Sequence, residues 1–224
     1  MKALFEVVTS SIGKKLLMGV SGVLLVAFIT VHMLGNLQIF LGGHALNQYA
    51  HFLKISPELL WGFRLAMAGI IAVHVIVALA LTVESFGARP KDYEKERNAA
   101  SLASRTMIVS GLVILLFVGY HILHFTAHLT NPEFDALLDA DSKPDVYRMV
   151  IEGFSNPWVS LVYVVGVLLL SWHLSHGVSS MMQSLGLRNR RSACLIDGAA
   201  VVFAVVVFVG MASVPAAVYF KLIF

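Results

Sequence analysis

Five stretches of this chain are almost uninterrupted in their apolarity, at about 15–41, 58–86, 104–128, 157–185 and 196–220. None shows the period-two alternation of a strand with one wet face. A helix rises ~1.5 Å per residue, so about 20 apolar residues cross a hydrocarbon core of ~30 Å. All five stretches reach that length. The pattern predicts an all-α integral membrane protein of five transmembrane helices, forming one membrane domain over 1–224 with no room for a soluble catalytic domain.

The boundaries carry helix punctuation. "SPELLWGF" puts Ser56 at an N-cap, Pro57 at the first helical position and Glu58 in the first turn, where the helix dipole favours an anion. "SNPW" repeats the device with Asn156 and Pro157, and Trp158 suits the interface. Gly42 and Gly43, Gly87 before Pro90, and Gly186 predict stops. Between the first two spans, "ALNQYAHFLKIS" (45–56) places Leu46, Tyr49 and Leu53 at helical spacing, which predicts a short amphipathic helix on the membrane surface. A second surface helix is expected at "DVYRMVIEGF". The first residues, "MKALFEVVTSSIGKK", lack the order of a cleavable signal, so the first span is expected to stay.

Composition agrees with the pattern. Charged residues make up 13% of the chain, where soluble proteins carry roughly 25%. The formal charge of +3 follows the loops, which removes any argument for a nucleic-acid partner. Lys2, Lys14 and Lys15 flank the first span; Arg89, Lys91, Lys95, Arg97 and Arg105 fill the second loop; Arg188, Arg190 and Arg191 fill the fourth. The 130–155 loop is acidic. Basic loops stay on the cytoplasmic side, so the N-terminus is expected in the cytoplasm and the C-terminus outside. Cys194 is the single cysteine and excludes an internal disulfide or a paired-cysteine metal site.

Against this apolar background, polar rings stand out. The first span holds His32, the second His74, the third His121 and His124 with His128 near its end, and the fourth His173 and His176. One imidazole in a span can serve as an interhelical hydrogen bond. Four consecutive spans each with at least one point instead to function, because an ionisable group in lipid is costly. His32 and His121 lie about 17 residues from their cytoplasmic starts, whereas His74 and His173 lie about 15 residues from their outer starts. At ~1.5 Å per residue, the four sort into two pairs at depths about 10 Å apart. A zinc or copper site needs three or four donors at one depth. Two facing imidazoles instead suit the axial sites of a haem iron, and filling both favours electron transfer over chemistry at the metal. Gly69, Gly119 and Gly177 lie close to these histidines, where either a flat macrocycle or a neighbouring helix requires close approach to backbone.

"FITVHMLGNLQIFLGG", "AVHVIVALAL", "LFVGYHILHF" and "LSWHLSHGVSS" together resemble the histidine-bearing segments of dihaem cytochrome b anchors in succinate:menaquinone oxidoreductases and fumarate reductases. The resemblance extends over nearly the whole chain. It implies a four-helix bundle around two stacked haems b, with His32 and His121 ligating a distal haem and His74 and His173 a proximal one. The motifs favour His121 over His124, and His173, four residues before Gly177, over His176. Further implications are a flavoprotein subunit and an iron–sulfur subunit on the cytoplasmic face and quinone, expected to be menaquinone, as the membrane partner. The setting would be a bacterial or archaeal cytoplasmic membrane, with lipid around the spans. Some fumarate reductases of this kind carry a glutamate where Ser171 stands here, which leans the resemblance toward succinate oxidation.

Reducing a quinone requires titratable groups beside an apolar slot. The candidates toward the outer side are His44, His51, Lys54 and Glu58, with Arg64 a possible contact to a haem propionate or a quinone carbonyl. Two other readings remain open. A dihaem subunit of a hydrogenase or formate dehydrogenase would share the histidine pattern but have another soluble partner. A haem-free transporter or channel would use the histidines as a proton relay, although the spans hold no Asp or Lys at depth.

Overall fold

The computed structural model describes residues 10–87 and 106–224. The basic segment 88–105 and the predicted start of the third span lie outside them, and the helix of the second span ends at Gly87, the expected stop. The helices are α1 (Ser11–Asn36), α2 (Gly43–Leu53), α3 (Pro57–Gly87), α4 (Met107–Phe125), α5 (Val146–Ser155), α6 (Pro157–Ser184) and α7 (Ala193–Tyr219). Short 3-10 turns occupy Leu37–Leu41 and Pro132–Ala136. Helices α1, α3, α4, α6 and α7 are long and apolar enough to cross a membrane. The protein is therefore all-α and integral to the membrane, and α2 and α5 are helices where the sequence anticipated two short ones.

The predicted signals act at the helix ends. The Leu59 amide donates to Ser56 Oγ at 3.3 Å, and the Trp158 amide donates to Asn156 Oδ1 at 2.9 Å. Gly42 and Gly186 have φ of +99° and +76°, a backbone region that side chains with a Cβ resist.

Two compact units make up the chain. Unit 1 comprises Met1–Phe28, Arg64–Gly111 and Trp172–Ala204; unit 2 comprises Ile29–Phe63, Leu112–Ser171 and Val205–Phe224. Segments of all five spanning helices occur in each.

In unit 1, Gly19 lets α1 approach Leu185 so closely that a Cβ there would come within 3.1 Å of it. Charged groups pair where the apolar stretches end. Lys14 bonds Glu84, and Arg188 grips Asp197 through Nε and Nη2 at 2.9 and 2.8 Å. Such a fork is the geometry guanidinium and carboxylate share, and Ser179 adds a bond to the same carboxylate.

Unit 2 has a buried core of Ile39, Leu46, Val150, Phe154, Tyr163, Val214 and Val218. The surface helices are tied together by buried Asn47, whose amide nitrogen donates to Asp145 Oδ1 while its oxygen accepts from the Tyr147 amide, both at 2.9 Å. Asp145 in turn caps α5 by accepting from the Arg148 amide at 3.0 Å.

Candidate functional site

Each unit contains one of the two histidine pairs read from depth. In unit 2, His32 of α1 and His121 of α4 stand with ring centroids 5.7 Å apart and planes at 85°. Both residues are half-buried. Phe117, Phe125 and Tyr163 wall His121 at centroid distances of 6.5, 6.0 and 5.9 Å. His124, one turn further along α4, has a different role. It is fully buried, its Nδ1 is 2.9 Å from the Tyr163 hydroxyl, and its ring lies 4.0 Å from that of Phe125. Helix α5 seals it: a Cβ on Gly153 would come within 3.3 Å of His124 Cε1. His128 lies beyond the helix with φ of +52° and pairs with Asp135 at 2.6 Å.

Unit 1 contains His74 of α3 and His173 of α6. Each meets a serine through the same ring atom. Ser21 Oγ of α1 is 3.0 Å from His74 Nδ1, and Ser110 Oγ of α4 is 3.1 Å from His173 Nδ1. With Nδ1 engaged, Nε2 is the nitrogen left to act as a ligand. His176 is engaged elsewhere, with Nε2 2.9 Å from Ser180 Oγ and its ring within the influence of the Arg188–Asp197 pair.

The spacing of His32 and His121 fits a shared haem iron. Two imidazoles sharing one metal at ~2.0–2.1 Å per nitrogen place their centroids about 6 Å apart, close to the separation of His32 and His121. Among the described residues no group of three or more His, Cys, Asp or Glu side chains is placed to hold a metal ion. A Cβ at Gly69 or Gly119 would meet nothing within 4 Å, and one at Gly177 would make only ordinary contacts at 3.8 and 3.9 Å. Protein packing therefore does not demand glycine at these three positions. It does at Gly166, where a Cβ would lie 2.5 Å from Phe117.

The quinone candidates separate. His44 and His51 line a cavity of about 440 Å³ in unit 2, with Asn47, Gln48, Phe52 and Ile55 on one side and Asp139, Asp141 and Lys143 on the other. His51 Nε2 lies 3.1 Å from the Pro144 carbonyl and 3.4 Å from Asp139 Oδ2. The amides of Lys143 and Asp141, with the His51 and Lys143 side chains nearby, hold the Asp139 carboxyl below the usual carboxylate range. Lys54 and Glu58 lie outside this lining. Lys54 is an exposed residue whose amide closes α2 on the His51 carbonyl at 3.0 Å, and exposed Glu58 accepts from Ser56 Oγ at 3.0 Å. Arg64 is half-buried on α3, belongs to unit 1 and is likewise not part of the lining. Ser171 is buried, its hydroxyl without a hydrogen-bond partner among the described residues.

Sequence reasoning missed Ser21, Ser110, Asp139 and Lys143. The serines left one trace, a hydroxyl in an otherwise apolar span, which a bond to the helix's own backbone explains equally well. The cavity's acidic wall left none beyond the charge of its loop.

No curated protein and no solved structure matches the chain. The family model described as succinate dehydrogenase/fumarate reductase transmembrane subunit matches residues 92–212, more than half of the chain, a range that includes His121 and His173. The chain therefore belongs to the succinate dehydrogenase/fumarate reductase transmembrane subunit family.

Proposed function

We propose that this chain is the dihaem, quinone-reactive anchor of a succinate:quinone oxidoreductase, with His32 and His121 ligating one haem b and His74 and His173 the other. The observation that carries the reading is that each compact unit gathers half-buried histidines from two different spanning helices, His32 with His121 in one and His74 with His173 in the other. An imidazole in a membrane span is costly, and ligation of an iron would offset that cost. Bound there, haem would supply one-electron transfer across the lipid between soluble subunits and quinone.

The chain's own residues position and insulate. Phe117, Phe125 and Tyr163 keep water from His121. The His44–His51 cavity offers what a quinone headgroup requires: His51 and Lys143 can donate to carbonyl oxygens, and Phe52 and Ile55 present an exposed apolar edge for the tail. Glu58 is assigned to capping α3. The flavoprotein and iron–sulfur subunits would dock on the cytoplasmic face through the basic loops, and menaquinone is the expected acceptor.

Single substitutions in the purified complex test the pairing. His32→Ala and His121→Ala should each remove the same haem, and His74→Ala and His173→Ala the other. His124→Ala and His176→Ala should keep both. Loss of a haem on changing His124 or His176 would move the ligand one turn along its helix and overturn the assignment.

A further inference from the structure

The two serines that meet the unit 1 histidines share one geometry. Ser21 Oγ lies 3.2 Å from the Met18 carbonyl, and Ser110 Oγ lies 3.1 Å from the Met107 carbonyl, in each case three residues back on its own helix. Both serines are buried, at 3% and 5% exposure, so water does not compete for their hydroxyls. A serine has one hydrogen to give. Directed at its backbone carbonyl, that hydrogen leaves only lone pairs facing the histidine 3.0 or 3.1 Å away. An imidazole Nδ1 can satisfy a lone pair only by donating, so each ring must carry its proton on Nδ1 and leave Nε2 bare.

We propose that Ser21 and Ser110 are positioning residues that lock His74 and His173 in the Nδ1–H tautomer and fix the direction of each Nε2. The proposal rests on the reading of this pair as haem ligands. The same device occurs twice, on two different helix pairs, α1 with α3 and α4 with α6, although each serine–backbone contact alone is an ordinary feature of a membrane helix. Unit 2 is built differently around His121, where aromatic rings form the wall.

Two consequences follow from the chemistry. A ring that donates from Nδ1 is a stronger electron donor at Nε2, which favours the oxidised metal and lowers the reduction potential. The bond also resists rotation of the ring about its side-chain torsions, so the angle between the two ligand planes is held.

The test compares Ser21→Ala and Ser110→Ala with Ser21→Thr and Ser110→Thr, each in the whole complex. Readouts are the haem-to-protein ratio, the redox titration of both haems and the low-spin ferric resonance spectrum. In the alanine variants the midpoint of the unit 1 haem should rise and its resonance shift, while the other haem stays where it was. Affinity for the unit 1 haem should fall about ten-fold or more. Threonine, which keeps the hydroxyl, should restore both. Loss of the unit 1 haem in the alanine variants with retention in the threonine variants carries the same meaning. Alanine titrations that superpose on the parent, equal shifts of both haems, or threonine variants that behave as alanine overturn the proposal. A parent complex with no haem refutes instead the ligand reading beneath it.

Discussion

At the scale of the residue, the account turns on which rings face one another and what encloses each. Along α4, His121 and His124 are three residues apart and so share nearly one face, which is why spacing alone left both open. Packing separates them. Tyr163, Phe125 and α5 enclose His124, whereas His121 stays half-buried against His32. The same division on α6 gives His173 a serine and His176 the neighbourhood of an ion pair. Spacing carries no trace of these neighbours, and only the resemblance of the motifs favoured His121 and His173. His51 illustrates the converse, since its partners Asp139 and Pro144 come from a distant loop. If His51 handles a quinone proton, His51→Ala should slow quinone turnover on the order of a hundred-fold with both haems retained. Steady-state reduction of a soluble quinone analogue checks this, and unchanged turnover would make His51 a structural tie.

At the scale of the element, the sequence was most legible where one physical rule dominated. The spanning helices follow from apolar length, and their starts from Ser56–Pro57 and Asn156–Pro157, because an orphan amide accepts the nearest side-chain oxygen. The surface helices were visible as amphipathic segments, but their pairing was not. It depends on Asn47, a buried polar residue bridging two elements about a hundred positions apart. Replacing Asn47 with Ala leaves the Tyr147 amide unsatisfied and should cost about 1–3 kcal/mol at that junction. Amide hydrogen exchange over Val146–Ser155 should quicken correspondingly, while the spanning part of α6 stays protected. Unchanged exchange would mean that apolar packing alone docks α5.

At the scale of the whole molecule, the five spans were plain in the sequence and stand as five long apolar helices, and the family match over 92–212 agrees with a transmembrane subunit. The division into two compact units was not legible, because hydropathy varies little along a span and says nothing about which neighbours a segment gathers. That division gives the histidines their grouping, with one pair in each unit. The central claim is that each pair holds one iron porphyrin. The haem-to-protein ratio and reduced-minus-oxidised spectrum of the purified complex test it most directly. The account predicts two low-spin haems b per copy of this chain, both reducible. A chain without haem, or with one that persists when either pair is removed, would contradict it.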